Sequence, residues 1–271
     1  MYAIDFRYDG EYLSDKGFII CRVGSFSDIK TVGVGSNIEI ETIPNMHGTK
    51  NYIVNAKYND CLSTTFQICK NCDLYEDLSI TEYEVRDIAR WLNRKEFLDT
   101  SFYSESGECV GGCHFDASFN VTKLEDDNAT YALELEMITN SPFAHGEKEV
   151  LTYDIKSPNK VISITDNSDE IGYSYPVVKI DVKQAGNLKV TNKFTGDVVL
   201  INNCKVGEKI ELSGSSQIIT TSLSSHKICN DFNFNFLRIG NSYSNRINEI
   251  IVSIPCTLTI ETIPIIKNSP M

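Results

Sequence analysis

What most limits the folds open to this chain is a short-range alternation of apolar and polar residues that keeps returning. Ile38-Glu39-Ile40-Glu41, Tyr131-Ala-Leu-Glu-Leu-Glu-Met137, Lys189-Val190-Thr191 and Thr257-Leu-Thr-Ile-Glu261 all repeat at every second residue. Successive side chains of a strand point to opposite sides, so this period sets one face on a core and the other in water. Turn formers separate the runs at Asp9-Gly10, Lys16-Gly17, Asp126-Asp127-Asn128, Thr195-Gly196-Asp197 and Gly240-Asn241. The expectation is a mainly β chain with mostly antiparallel strands.

One segment departs from this period. Ser79-Ile-Thr-Glu82 has the spacing of a capping box, after which Val85, Ile88, Ala89 and Leu92 recur as a single apolar stripe. Arg86, Arg90 and Arg94 occupy a neighbouring face towards the end, where positive charge suits the helix dipole. These signals predict a helix from about 79 to 93. Trp91, the single tryptophan, lies about 60° off the stripe and either anchors its flank or faces a partner.

Thirty-seven acidic and 25 basic residues among 271 give a net charge of -12. Affinity for phosphate depends on Lys and Arg displacing counterions, so such a surface repels nucleic acid. Solubility alone is an equal explanation of the charge. Met1-Tyr-Ala-Ile-Asp-Phe-Arg7 lacks the apolar core of an export signal, which predicts synthesis and folding in cytosol and reduced thiols at the nine cysteines. No apolar run approaches the roughly 18–20 residues that cross a bilayer, so membrane insertion is not expected.

Candidate chemistry is sparse. Cys69-Lys-Asn-Cys72 and Cys109-Val-Gly-Gly-Cys113 have spacings that a tetrahedral zinc accepts, with small buried thiols as the blander reading of the same residues. The gap between the pairs is longer than in compact zinc ribbons, and no cofactor is expected. His47, His114, His145 and His226 fall in loop-like contexts with no carboxylate pattern to orient them. No nucleophile elbow, His-Glu-x-x-His helix or phosphate-binding loop occurs, and Gly33-Val-Gly35-Ser36 is too short for a dinucleotide turn. Glu39 and Glu41 share a strand face and could serve a glycosidase, but outward charged faces are far commoner. The chain is not expected to be an enzyme.

Two β-rich halves follow from a composition shift. Strand-like runs and the helix fill the chain through Phe143, and turn clusters at Ser157-Pro-Asn-Lys160 and Asp166-Asn-Ser-Asp-Glu170 precede an all-β remainder. The expected division is a first domain over 1–145, a linker or connecting strands over 146–174, and a second domain over 175–271. In the second, Phe232, Phe234 and Phe236 are expected to share one strand face as a core wall, with Asn233 and Asn235 opposite. Gly240-Asn241 would turn the chain into a returning strand carrying Ile250, Val252 and Ile254.

That stretch, Asp231 to Ile251, resembles the ending of phage distal tail proteins (Dit) of siphophage-type tails of Gram-positive bacteria. So do Thr191-Asn-Lys-Phe-Thr-Gly-Asp197, Gly207-Glu-Lys-Ile-Glu-Leu212 with Gln217-Ile-Ile219, and Glu134 to His145 with its Ser-Pro-Phe close. Phe18-Ile-Ile-Cys-Arg-Val23 and the Trp91-Leu92 helix fit the same order. The Cys-rich section from Cys61 to Cys113 departs from it. The resemblance implies an N-terminal β-sandwich-like belt domain with one helix that forms a hexameric ring, and a C-terminal galectin-like β-sandwich. It also implies a structural hub at the virion tail tip, assembled in the host cytoplasm. Its partners would be the tail tube, a tail-associated hub or fibre protein and a receptor-binding protein, with DNA passing through unbound. Glu39, Glu41, Asp126 and Asp127 are then candidates for acids facing the channel. The alternative is a carbohydrate-binding module contacting the host surface, since galectin-like names a fold and a fold does not establish sugar binding.

Overall fold

The computed structural model describes residues 3–22, 37–45, 48–58, 61–126 and 129–268. His47, Asp127 and the Gly33-Val-Gly35-Ser36 loop lie outside them. The chain divides into two compact units, one of Met1–Gly146 with Ile266–Met271 and one of Glu147–Ile265.

In the first unit the strands are β1 (Asp5–Tyr8), β2 (Glu11–Tyr12), β3 (Phe18–Cys21), β4 (Asn37–Asn45), β5 (Gly48–Lys57) and β6 (Ser63–Lys70). Helix α1 (Glu82–Leu92) follows, then β7 (Leu98–Tyr103), β8 (Phe115–Asp126), β9 (Ala129–Thr139) and β10 (Ala144–His145). Seven of these form one antiparallel sheet in the order β2-β1-β7-β8-β9-β6-β3. Asp9 and Gly10 both take positive φ, 52° and 82°, and Tyr8 pairs with Glu11 across them. That is the two-residue hairpin turn that an Asp-Gly step favours, because its twist matches the strands.

α1 starts later than the sequence suggests, with its N-cap shifted two residues from Ser79 to Thr81. Thr81 is the N-cap: its hydroxyl accepts from the Glu84 amide, and the Glu84 carboxylate accepts from the Thr81 amide at 2.7 Å. Both Ser79-x-x-Glu82 and Thr81-x-x-Glu84 satisfy the local pattern. Tertiary pairing decides between them, since the Ile80 amide donates to the Thr130 carbonyl of β9 and holds residue 80 extended. The buried stripe is Val85, Ile88, Trp91 and Leu92. Trp91 turns inward, 6% exposed, stacked on Phe6 at 5.5 Å and edge-on to Tyr8 at 6.0 Å. An indole buries far more apolar area than Ala89 would, so the helix rotates towards it. Phe66, Phe102, Phe115 and Phe119 complete this ring-filled core.

The second unit contains β11 (Glu149–Ile155), β12 (Lys160–Thr165), β13 (Gly172–Ser174), β14 (Val177–Val182), β15 (Gly186–Asn192) and β16 (Val198–Cys204). It continues with β17 (Lys209–Ser213), β18 (Ile218–Thr221), the short helix α2 (Ile228–Asp231), β19 (Ile239–Asn241), β20 (Ile247–Val252) and β21 (Cys256–Thr262), before β22 (Ile265–Ile266). A five-stranded sheet, β11-β21-β14-β17-β18, and a four-stranded sheet, β12-β20-β15-β16, enclose one core of Ile, Val and Leu. Residues 146–174 thus carry three strands of this unit. β11 pairs with β21 along its whole length and β12 with β20, so they are parts of its sheets rather than a tether.

Candidate functional site

The residues expected to face a channel lie on two elements. β4 and β5 form a two-stranded ribbon that is a sheet of its own, and Glu39 and Glu41 are exposed on it. The register opposes Glu39 to Asn55 and Ile40 to Ile53, so the bulged residue belongs to β5 and the two acids keep one face of β4. Asp126 is exposed at the end of β8.

The cysteines do not gather into a metal centre. Cys69 sits on β6 and Cys72 is exposed just beyond it, whereas Cys109 and Cys113 flank a short 3-10 turn. Cys113 accepts a hydrogen bond from Asn268 at 3.4 Å, and burial pushes its thiol pKa up. Among the described residues no group of three or more His, Cys, Asp and Glu is placed to hold a metal ion.

The phenylalanine segment is not a strand. Phe232 and Phe236 are buried against each other at 5.2 Å, while Phe234 has a φ of 54° and is 65% exposed. The asparagines explain the break in period. Asn233 Nδ2 and Asn235 Nδ2 donate to the Val198 carbonyl at 2.8 and 3.0 Å, and the Leu200 amide donates to Asn233 Oδ1 at 3.1 Å. Side-chain amides thereby cover the open edge of β16, where backbone pairing is limited to the Phe232–Ile201 bridge and the Asn233 amide on the Leu200 carbonyl at 3.1 Å. Gly240-Asn241 does not turn the chain either. Both lie in β19, paired with β13, and the turn is closed at Ser242 and Asn245. Asn248 joins β19 to β20 by exchanging two side-chain bonds with the Gly240 backbone, at 2.8 and 2.9 Å. Ile250 and Val252 are fully buried.

Taken with the two-unit β architecture, family comparison decides the assignment. A phage tail protein N-terminal domain family matches residues 1–141, and a phage tail C-terminal domain family matches 143–262. The chain belongs to the phage tail proteins. No curated protein matches it. Among solved structures, the crystal structure of the SPP1 Dit protein superposes with a TM-score of 0.63, covering 97% of this chain and 99% of that one at 12% identity. At that identity the likeness is one of fold, and the fold is the mainly β, Dit-like one that the resemblance implies.

Two buried polar clusters in this tail protein escaped the sequence reading. His226 Nδ1 lies 2.6 Å from Glu208 Oε1 and Nε2 lies 3.2 Å from Asp231 Oδ2, so one carboxylate arrives from the β16–β17 turn and the other from α2, five residues on. With a carboxylate at each ring nitrogen, His226 is held on both sides and has no nitrogen facing open space. Burial opposes ionisation of Glu208, but bonds from Thr221, the Lys205 amide and His226 outweigh it and hold its carboxyl below the usual range. The second cluster clamps Arg238 to buried Asp197 at 2.6 and 2.9 Å, with the guanidinium over the Tyr173 ring at 4.6 Å. Burial opposes ionisation of Asp197 too, and Arg238 and Thr195 overcome it.

An open groove on the outer face of the five-stranded sheet is lined by Lys179, Asp181, Lys209, Glu211, Thr257 and Thr259, among others, with no aromatic ring in its lining. His114 pairs backbone to backbone with His145, and its Nδ1 lies 3.7 Å from Asp99. No helix among the described residues is long and apolar enough to cross a membrane.

Proposed function

We propose that the chain is a non-enzymatic hub subunit of a phage or phage-like tail tip, whose N-terminal unit closes into a hexameric ring. The ring would join the tail tube to a tail-associated fibre or hub protein and pass DNA through its lumen. Assembly in the bacterial cytoplasm precedes residence at the virion tail tip. The observation that carries this reading is the end-to-end likeness to SPP1 Dit, a protein described as a paradigm of the hub adsorption apparatus of phages infecting Gram-positive bacteria.

Two features of the first unit support it. A two-stranded ribbon is marginal by itself in water, and β4–β5 forms its own sheet. Pairing with a neighbouring copy supplies the missing strands, and a heterologous contact repeated about an axis closes a ring. Glu39 and Glu41 on this ribbon, with Asp126, would then give the lumen a charge that DNA does not adhere to.

Mass measurement in solution with negative-stain imaging of the full chain tests the reading. A six-membered ring with a central hole is expected; a monomer at tens of micromolar concentration (about the range where ring contacts of standard size are occupied) would count against it. Glycan-array binding would instead favour the carbohydrate-binding alternative, for which the polar groove on the five-stranded sheet is the place to look.

A further inference from the structure

None of the nine cysteines is in a disulfide, yet two of them face each other across a strand pair. β3 and β6 are antiparallel neighbours in which Ile19 opposes Cys69 and Cys21 opposes Gln67. Side chains alternate, so Cys21 lies on the same face as Ile19, and therefore on the same face as Cys69, one diagonal step away. That face is turned from the ring-filled core: Phe66 and Ile68 point inward on β6, while Thr65, Gln67 and Cys69 are half-buried. Cys21 is half-buried as well. Both sulfurs are therefore packed on protein yet within reach of a small solute.

The two thiols are close enough to influence each other's ionisation: the interaction with Cys69 pushes the Cys21 thiol up, with burial adding to the effect, and the interaction with Cys21 lowers Cys69 against the opposing effect of burial. The direction of the two shifts makes Cys69 the sulfur from which the chemistry is written to start.

We propose that Cys21 and Cys69 form a reversible oxidation site, at which a low-molecular-weight disulfide such as oxidised glutathione converts the two thiols into a cross-strand disulfide. The Cys69 thiolate attacks one sulfur of the small disulfide, forms a mixed disulfide and releases one glutathione thiolate, which takes up a proton. The Cys21 thiolate then attacks the Cys69 sulfur, closes the Cys21–Cys69 bond and releases the second glutathione. Two protein thiols lose two electrons and two protons, and one small disulfide becomes two thiols. Diagonal cross-strand partners stand about 7–8 Å apart at their α-carbons, somewhat beyond the span of an unstrained disulfide. Closing the bond draws in β3, a four-residue strand at the end of its sheet, and the resulting strain keeps the bond reducible. Reducing cytosol holds the pair open, and an oxidising exterior closes it.

The test is to treat the folded full-length protein with oxidised glutathione, block remaining thiols, and read intact mass and protease-derived peptides without reduction. The expected wild-type product has lost two hydrogens and yields a peptide joining Cys21 to Cys69, while exposed Cys72 and Cys229 carry glutathione or blocking reagent. Dithiothreitol added before the blocking reagent should restore the starting mass. In Cys21→Ser the reaction should stop with glutathione on Cys69. Wild-type protein that stops at a Cys69–glutathione adduct, joins Cys69 to another cysteine, or leaves both thiols open to the blocking reagent would overturn the proposal. The wild-type map decides the matter even if the variant does not fold.

Discussion

Phe6 in the first unit and Ile250 in the second are both fully buried, yet they sit in different kinds of core. Around Phe6 the neighbours are rings: Trp91, Phe66, Phe102 and Phe119, with centroids 5.5–6.1 Å away. Around Ile250 the inward positions of two facing sheets supply Ile, Val and Leu. One helix laid on a sheet leaves gaps of uneven depth, which large flat side chains fill, whereas two facing sheets interdigitate branched side chains at a near-constant separation. Buried charge differs as well. The second unit seals Glu208 and Asp197 beneath its surface, while the chief buried ion of the first is Lys70, paired with the partly exposed Glu84 at 2.9 Å. The architecture of each unit therefore decides both what fills it and what disturbs it.

The comparison breaks most directly at Phe6. Phe6→Ala should cost about 3–5 kcal/mol in the first unit, read as an earlier transition in Trp91 fluorescence. Trp91 is the single tryptophan and belongs to that unit, so its signal isolates it. An equal shift of a calorimetric transition assigned to the second unit would show that the two cores do not melt separately.

Next comes the buried charge. Glu208→Ala strips the partner from buried His226 Nδ1, the Thr221 hydroxyl and the Lys205 amide and should cost about 1–3 kcal/mol in the second unit, with the Trp91 transition unchanged. The same carboxyl makes an acid-limb prediction. Glu208 and Asp197 titrate below the ordinary carboxylate range when folded, so the stability they contribute is fully present above that range and is lost as pH falls through their depressed values. Calorimetry from neutrality down to about pH 3 should find the second unit's transition falling steeply in acid, and Glu208→Gln should flatten that fall. An unchanged acid slope in the variant would remove Glu208 from the account.

The smallest effect tests the start of the helix. Thr81→Ala should cost about 1 kcal/mol and Ser79→Ala close to nothing, by Trp91 fluorescence in urea. The reverse order would return the cap to Ser79.

Local pattern and tertiary outcome can be separated residue by residue. The strands at 38–41, 131–137, 189–191 and 257–261, the Asp9-Gly10 hairpin and the presence of a helix near 82–92 were all legible, because period, turn chemistry and capping act within a few residues. The same locality explains the misreadings. Two overlapping capping boxes are equivalent until Thr130 binds Ile80, and Phe-Asn alternation reads as a strand until asparagine amides meet the edge of β16. At 146–174 a linker and connecting strands remain equal readings of the sequence, and it is the pairing of β11 and β12 with β21 and β20, about a hundred residues away along the chain, that makes them strands.

The sequence by itself therefore determined the mainly β class, the presence of one long helix and, through its ordered motifs, the resemblance to a tail protein. Only the tertiary structure decided that Trp91 turns inward and Phe234 outward. It also gave His226 its two carboxylates and set Cys21 against Cys69. Apart from Asp231, five residues from His226, these meetings join groups well separated in the chain, and no local period encodes them.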